Sequence, residues 1–102
     1  MADERKALAY IGVAARAGKA PGGEFSTEAA IKKGKAKAVF ISGDASDNTK
    51  KKFRDKCAYY HVPIAYLADR ETLGRAVGKA ARTSVAVTDA SLAEAAMKAL
   101  NE

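Results

Sequence analysis

The sequence predicts an α/β fold, a three-layer α-β-α sandwich with a small mixed sheet of about four strands. Three short apolar runs, Ala38–Ile41, Ile64–Leu67 and Val85–Val87, are each followed by a turn signal and a helical pattern. Their apolar residues do not alternate with polar ones, which indicates strands covered on both faces. A short segment near Lys19–Pro21 is the candidate fourth strand. With 102 residues, the chain has the length of one domain, residues 1–102.

Five helical segments surround these strands, and strands of ~5 residues alternating with helices of ~10 residues are typical of layered α/β folds. The predicted helices are Glu4–Ala17, Gly23–Lys33, Ser46–Tyr60, Arg70–Val77 and a fifth helix opened by Asp89 or Ser91. Apolar spacing predicts buried stripes in three of them. These are Leu8, Ile11, Gly12 and Ala15 in the first, Phe53, Cys57 and Tyr60 in the third, and Leu92, Ala96 and Leu100 in the last.

The positive charge of the chain is concentrated in one segment. Lys and Arg number 18 against 12 Asp and Glu, a net charge of +6. Residues 32–56 hold nine bases and three acids, and nine minus three is the whole net charge. Such an excess is expected of a protein that binds phosphate, although a solvated lysine-rich face has the same composition.

The sequence motifs typical of enzymes, metal sites and cofactor sites are incomplete in this sequence. Gly12–Lys19 resembles a phosphate-binding loop, but its glycines are separated by five residues instead of four. Gly74–Gly78 lacks the dinucleotide-binding spacing. Cys57 lies on the predicted buried stripe, so we expect a packed thiol, and His61 is expected to be solvated or to cap a helix. One His and one Cys make a zinc site improbable. We therefore predict no catalytic residue, no metal and no cofactor.

The amino terminus lacks the apolar stretch of a signal peptide, and no apolar run approaches the ~18 residues that a membrane-spanning helix needs. A lone cysteine forms no internal disulfide. We therefore expect a cytoplasmic protein that does not contact membranes and is most simply a monomer.

Three features are predicted to meet at one edge of the sandwich. Gly22 and Gly23 open the second helix, where free N–H groups and the helix dipole favour an anion. The basic segment Lys32–Lys37 continues from that helix. The loop Ala68–Thr72 follows the second strand, at the end of a strand where open α/β sheets tend to bind ligands. Together these features favour nucleic acid over a small metabolite.

The same residues carry a family resemblance. The segment Gly23–Lys37, written G-x5-A-A-I-x2-G-x-A-K, together with the following strand, Val62-Pro63 and the string Leu73–Gly78, resembles the ribosomal protein L-seven-Ae (L7Ae) superfamily of kink-turn RNA binders. Ile11–Lys19 and Asp44–Lys52 are similar to its bacterial YlxQ-type branch. The resemblance covers nearly the whole chain.

The resemblance implies that the start of the second helix docks into a distorted RNA major groove, and that a loop after a strand covers an extruded base. Gly23 is then the glycine of the family motif G-x-N-E-x-x-K, while Phe25, Ser26 and Ala29 replace its Asn, Glu and Lys. Phe25 either stacks on a base or makes a hydrophobic contact inside the fold. The predicted RNA-binding residues are Gly22, Gly23, Glu24, Phe25, Ser26, Lys32, Lys33, Lys35, Lys37, Leu67, Ala68, Asp69 and Arg70.

The function predicted on these grounds is that of a non-enzymatic protein binding structured, kink-turn-like RNA, associated with the ribosome or with the transcription and translation machinery. The main alternative is a protein–protein adaptor of that machinery that has lost specific RNA readout. A second alternative is an enzyme with a small-ligand pocket at the sheet edge, which the missing acid–base constellation disfavours.

Overall fold

The structure of the protein is a computed structural model that describes residues 2–101. Within these residues the chain forms five helices and three strands. In chain order they are α1 (Glu4–Arg16), α2 (Glu24–Lys32), β1 (Ala38–Ser42), α3 (Asp47–Tyr60), β2 (Ile64–Leu67), α4 (Arg70–Ala76), β3 (Ser84–Val87) and α5 (Ala90–Leu100). None of these helices is long and apolar enough to cross a membrane.

The sheet has the strand order β2-β1-β3, with β2 parallel and β3 antiparallel to β1. It is mixed, as predicted, but the structure assigns three strands instead of four. The predicted strand Lys19–Pro21 does lie beside β3, and the N–H groups of Thr88 and Ala86 donate to its first and last carbonyl oxygens. Only the bridge between Gly22 and Val85 is formed there, because proline has no N–H and the chain then turns into α2.

Helices cover both faces of the sheet, which confirms the predicted three layers. Alternate residues of β1 point into different layers: Phe40 packs with α1, α4 and α5, whereas Val39 and Ile41 pack with α2 and α3. All residues of β1 and β3 are buried, as the unbroken apolar runs predict. The edge strand β2 is only partly covered.

The buried stripes of α1 and α5 are turned relative to the prediction. Small residues line the contact between these two helices, because close packing of α1 on α5 favours alanine over larger side chains. The fully buried residues are Ala7, Ile11, Gly12 and Ala14 in α1 and Ala93, Ala96 and Ala99 in α5. The larger predicted residues Leu8, Leu92 and Leu100 flank this contact and stay half-buried. In α3, Phe53 and Cys57 are buried as predicted, but Tyr60 is exposed.

Cys57 and His61 have the structural roles that the sequence predicts. Burial raises the pKa of the Cys57 thiol to about 11, so this thiol stays protonated and unreactive at neutral pH. His61 ends α3 in the left-handed conformation, with φ of 59°, and the N–H of Val62 donates to the Cys57 carbonyl oxygen.

A cluster of ion pairs joins α2 to α3. The carboxylate of Glu28 lies 3.2 Å from Lys32 Nζ, 3.0 Å from Lys52 Nζ and 3.1 Å from Lys56 Nζ. Hydrogen bonds from Lys52, Lys56 and Lys32 lower the pKa of Glu28 to about 2. Three basic residues of the segment 32–56 are therefore paired in this cluster: Lys52 and Lys56 join α3 to α2, and Lys32 pairs with Glu28 within α2.

Replacing Glu28 with glutamine is expected to destabilise the protein at neutral pH. Because folding lowers the pKa of Glu28 from 4.5 to about 2, its contribution is present above pH 4.5 and is lost as the pH falls towards 2. The free energy of unfolding of Glu28→Gln should therefore approach that of the wild type over this interval, as measured by urea titration at several pH values. Glu94→Gln, at an exposed glutamate of α5, is the control. A deficit that does not change with pH would contradict the prediction.

Candidate functional site

Three chain segments, 22–26, 70 and 81–83, line a cleft at one end of the sheet. β1 and β2 terminate at this end, the antiparallel β3 begins there, and the glycine pair enters α2 beside it. The cleft has a volume of about 390 Å³. Its lining residues are Gly22, Gly23, Glu24, Phe25, Ser26, Arg70, Ala81, Arg82 and Thr83.

The start of α2 presents unpaired backbone donors at this cleft. The helices α1, α3, α4 and α5 each begin with an Asp or Ser side chain that accepts a backbone N–H, whereas α2 begins at Gly23 without a side-chain cap. The N–H of Gly23 donates to Ser84 O at 2.9 Å. Within residues 2–101, no acceptor serves the N–H groups of Glu24, Phe25 and Ser26. Free amides and the positive end of the helix dipole suit an anion.

Glycine is needed at Gly23, the residue before α2. Gly23 has φ of 96°, a left-handed conformation that side chains disfavour. A Cβ on Gly22 would lie 3.6 Å from two carbons of the Arg82 side chain, and a Cβ on Gly23 would lie 3.8 Å from its Nε. These are ordinary van der Waals distances, and they place the Arg82 side chain along the entrance to α2.

Arg82 is a cation without an acidic partner in the part of the chain that the structure describes. Its Nη1 donates to Ala81 O at 2.7 Å, and its backbone N–H donates to Arg70 O at 2.9 Å. These two contacts hold the side chain and the backbone while the positive charge stays unneutralised. Arg82 therefore offers an unneutralised positive charge to an anion at the cleft.

Arg70 is fixed by the turn that follows β1. Its backbone N–H and Nε donate to the Asp44 carboxylate at 3.0 and 3.3 Å, and its Nη2 donates to Asp44 O at 2.8 Å. The neighbouring Ser42 hydroxyl and the Arg70 guanidinium lower the pKa of Asp44. Arg70 thus positions the loop after β2, and it presents a guanidinium whose charge is partly neutralised.

The predicted covering loop is held from both sides. Ala68 has φ of 54°, which is uncommon for a residue other than glycine. Its N–H donates to Glu4 Oε1 at 3.0 Å, and its carbonyl oxygen accepts the Gly43 N–H at 2.8 Å. Asp69 is occupied as the cap of α4. Leu67 is only 2% exposed and belongs to the core, so its side chain does not reach the surface.

The side chain of Phe25 is 85% exposed. This exposure excludes a hydrophobic contact inside the fold, which was one of the two roles that the sequence left open for Phe25. The aromatic ring stands in solvent beside the uncapped helix start. Ser26 is exposed next to it. Glu24 pairs with Lys52 at 3.2 Å, which offsets the negative charge of its carboxylate beside the cleft.

The lysines predicted to adjoin the helix opening lie at the opposite end of α2. α2 has nine residues, and at about 1.5 Å per residue its ends are about 12 Å apart. Lys32 pairs with Glu28, and the exposed Lys33, Lys35 and Lys37 follow the helix. The structure thus joins Gly22, Gly23, Glu24, Phe25, Ser26 and Arg70 at one cleft and leaves these lysines outside it.

Three residues of the cleft, Ala81, Arg82 and Thr83, were not predicted from the sequence. These residues precede β3. Because β3 is antiparallel to β1, the first residue of β3 lies at the end of the sheet where β1 and β2 terminate. An arginine two residues before a strand was the available signal. Using that signal required the direction of β3, which the apolar run did not reveal.

Similarity to known proteins extends over most of the chain. Residues 5–97 match the model of the ribosomal protein L7Ae/L30e/S12e/Gadd45 family. The chain belongs to this family. Over 79 residues it is 48% identical to the RNA-binding protein YlxQ of Bacillus subtilis (strain 168), an alignment covering 78% of this chain and 79% of that protein. The RNA-binding protein YlxQ of Enterococcus faecium is 47% identical over 77 residues, covering 76% and 75%. The resemblance to the L7Ae superfamily and its YlxQ branch is confirmed.

Solved structures agree with the L7Ae-type fold. A protein of unknown function from Bacillus halodurans C superposes with a TM-score of 0.91 at 37% identity, covering 95% of this chain and 98% of that one. The Giardia lamblia 15.5kD RNA binding protein superposes with a TM-score of 0.81 at 19% identity, covering 99% and 89%. The second likeness concerns the fold alone.

Proposed function

We propose that this chain is a non-enzymatic RNA-binding protein that binds structured RNA at the start of α2. The observation that carries the proposal is the cleft where three unpaired amides, an unneutralised Arg82 and an exposed Phe25 meet. Two relatives in the same family are named RNA-binding proteins, which supports it. The expected place of action is the cytoplasm, where RNA is accessible.

The chemistry of the cleft suits one phosphate and one unstacked base. A phosphate accepts hydrogen bonds from the amides of α2, and Arg82 adds a charge-assisted bond. Phe25 offers a face on which a base stacks. An A-form duplex has a major groove too narrow for these groups, so the partner is an RNA helix opened by an internal loop or a kink.

The proposed recognition is mainly of RNA shape. Phe25, Ser26 and Ala29 occupy the positions where the resembled motif has Asn, Glu and Lys, so the side chains available to read guanine edges are reduced. Backbone amides and arginine bind phosphate in any sequence. We therefore propose preference for a kinked geometry with modest sequence reading.

The test is a titration of the protein with a kink-turn RNA and with an unkinked duplex of equal length, each at two salt concentrations. We expect tighter binding of the kinked RNA and a decrease of affinity with salt, since phosphate contacts release counterions. Equal affinity for the two RNAs would refute shape recognition. Absence of binding at low salt would refute the function itself.

Replacing Phe25 with alanine is expected to weaken binding of the kinked RNA by about tenfold, since stacking of a base on an aromatic ring contributes ~1 to 3 kcal/mol. The same change should leave the melting temperature unaltered, because the ring is 85% exposed and contributes little to the core. Tyr59→Ala, at an exposed aromatic residue of α3, is the matched control. Unchanged RNA affinity of Phe25→Ala would remove the stacking role.

A further inference from the structure

A second exposed surface lies between α1 and α4, in the helical layer opposite α2 and α3. It is an open groove of about 500 Å³ with a largely apolar floor, and three arginines but no acidic residue line it. The residues on which its character depends are Arg5, Leu8, Ala9, Val13, Arg16 and Arg75.

Five of these residues form one stripe along α1. Counted from Arg5, they lie at i, i+3, i+4, i+8 and i+11, and this spacing places them on one helical face. Val13 is 42% exposed and Leu8 is half-buried. Ala9 and Val13 are exposed and Leu8 is only partly packed against the core, so this face of α1 keeps apolar surface that no other part of residues 2–101 covers.

The stripe carries a cation at each end. Arg5 and Arg16 are eleven residues apart, which is about 16 Å along a helix. Arg75 stands on α4 at the facing wall. None of the three forms an ion pair with another residue of the described chain, 2–101. The groove therefore combines exposed apolar surface with unneutralised positive charge.

We propose that this groove binds an acidic amphipathic α-helix of a partner protein. A helix of about three turns matches the length of the stripe. Its apolar face would pack on Leu8 and Val13, and its carboxylates would meet Arg5, Arg16 and Arg75, which pair with carboxylates in bidentate geometry. This is the helix-in-groove mode of recognition with charge complementarity added.

The composition of the groove favours a protein partner over RNA. RNA contacts at such a surface would place charged phosphates against Leu8 and Val13 and leave their apolar area without a partner. The groove has no exposed aromatic ring for base stacking. α4 begins at Arg70 in the cleft and presents Arg75 to the groove, so the two sites use different ends of one helix. The proposal does not depend on the proposed RNA-binding function.

The experiment uses a fluorescein-labelled, alanine-based helical peptide of fourteen residues, with leucines along one face and glutamates eleven positions apart. We expect the full chain to bind this peptide. The variant Arg16→Gln/Arg75→Gln should bind it at least tenfold more weakly. Lys50→Gln/Arg54→Gln, which removes two charges from α3, should bind it like the wild type. A peptide with lysines in place of the glutamates should bind only the charge-reversed variant Arg5→Glu/Arg16→Glu, in which both ends of the stripe are acidic.

Three results would overturn the proposal. The first is absence of binding at peptide concentrations of about 1 mM. The second is equal binding of the glutamate and lysine peptides. The third is a loss of kinked-RNA affinity in Arg16→Gln/Arg75→Gln as large as that in Arg82→Ala, which would make the groove an RNA surface. Melting temperatures of the variants exclude unfolding as the cause, and peptide binding in the absence of RNA separates this test from that of the proposed function.

Discussion

Replacing Gly74 with alanine is expected to lower the free energy of unfolding by ~1 to 3 kcal/mol, the range of overpacked cores. Gly74 is buried in α4, and a Cβ there would lie 2.8 Å from both Ala80 O and Ala81 Cα. These are backbone atoms, so either α4 or the segment 79–82 has to move. Helix propensity alone would make alanine about 1 kcal/mol more favourable than glycine at this position. A decrease in the free energy of unfolding would therefore show that the steric clash outweighs helix propensity.

The same substitution is expected to weaken RNA binding, because the displaced segment carries Arg82 and its hydrogen bond to Arg70 O. Gly78→Ala is the control. Gly78 also lies near the end of α4, but it has φ of 74°, and a Cβ there would meet no atom of the described residues within 4 Å, so only backbone strain of ~1 to 2 kcal/mol applies. Urea unfolding and RNA titration measure the two effects. Equal or greater stability of Gly74→Ala than of the wild type would contradict the packing described for α4.

Replacing Arg82 with alanine is expected to reduce affinity for kinked RNA by about tenfold or more, since a hydrogen bond to a charged group contributes about 1.5 to 3 kcal/mol. The loss of one phosphate contact should also reduce the slope of log affinity against log salt by roughly one unit. Arg82 is the residue for this test because its charge has no acidic partner within residues 2–101, whereas Arg70 is already bound to Asp44.

Lys79→Ala is the matched control for Arg82. Lys79 lies in the same segment between α4 and β3 and carries the same charge, but it lines a different hollow, beside Lys35. A general effect of net charge would weaken RNA binding equally in both variants, and a specific phosphate contact would weaken it only in Arg82→Ala. Equal effects would therefore show that the cleft does not orient the RNA.

The sequence alone predicted most of the local structure. The β1 and β2 runs contain β-branched and aromatic residues without alternation, and the structure buries them or places them in the sheet where predicted. Asp89 caps α5, Gly23 precedes α2 and His61 ends α3 at or next to the predicted boundaries. These features depend on contacts within a few residues of the chain, which is why local patterns reveal them.

The grouping of the site residues was predictable only in part. Gly22, Gly23 and Phe25 are neighbours in sequence, and Arg70 follows a strand whose end was expected at this edge. The lysines after α2 were expected beside the glycines, but helical geometry carries them about 12 Å away. The exposure of Phe25 could not be decided from sequence, because an aromatic residue in the first turn of a helix suits either the core or the surface.

The sequence by itself determined two features of this protein. The order of the apolar runs and helical segments predicts three layers, and the glycine pair predicts that α2 begins without a side-chain cap. Only the tertiary structure decided which cations face the cleft and which face of α1 stays uncovered. The direction of β3 brings Arg82 to the glycine pair, and the close packing of alanines between α1 and α5 leaves Val13 exposed and Leu8 only half-buried. Both outcomes depend on contacts between segments that are distant in the chain, and no local pattern encodes those contacts.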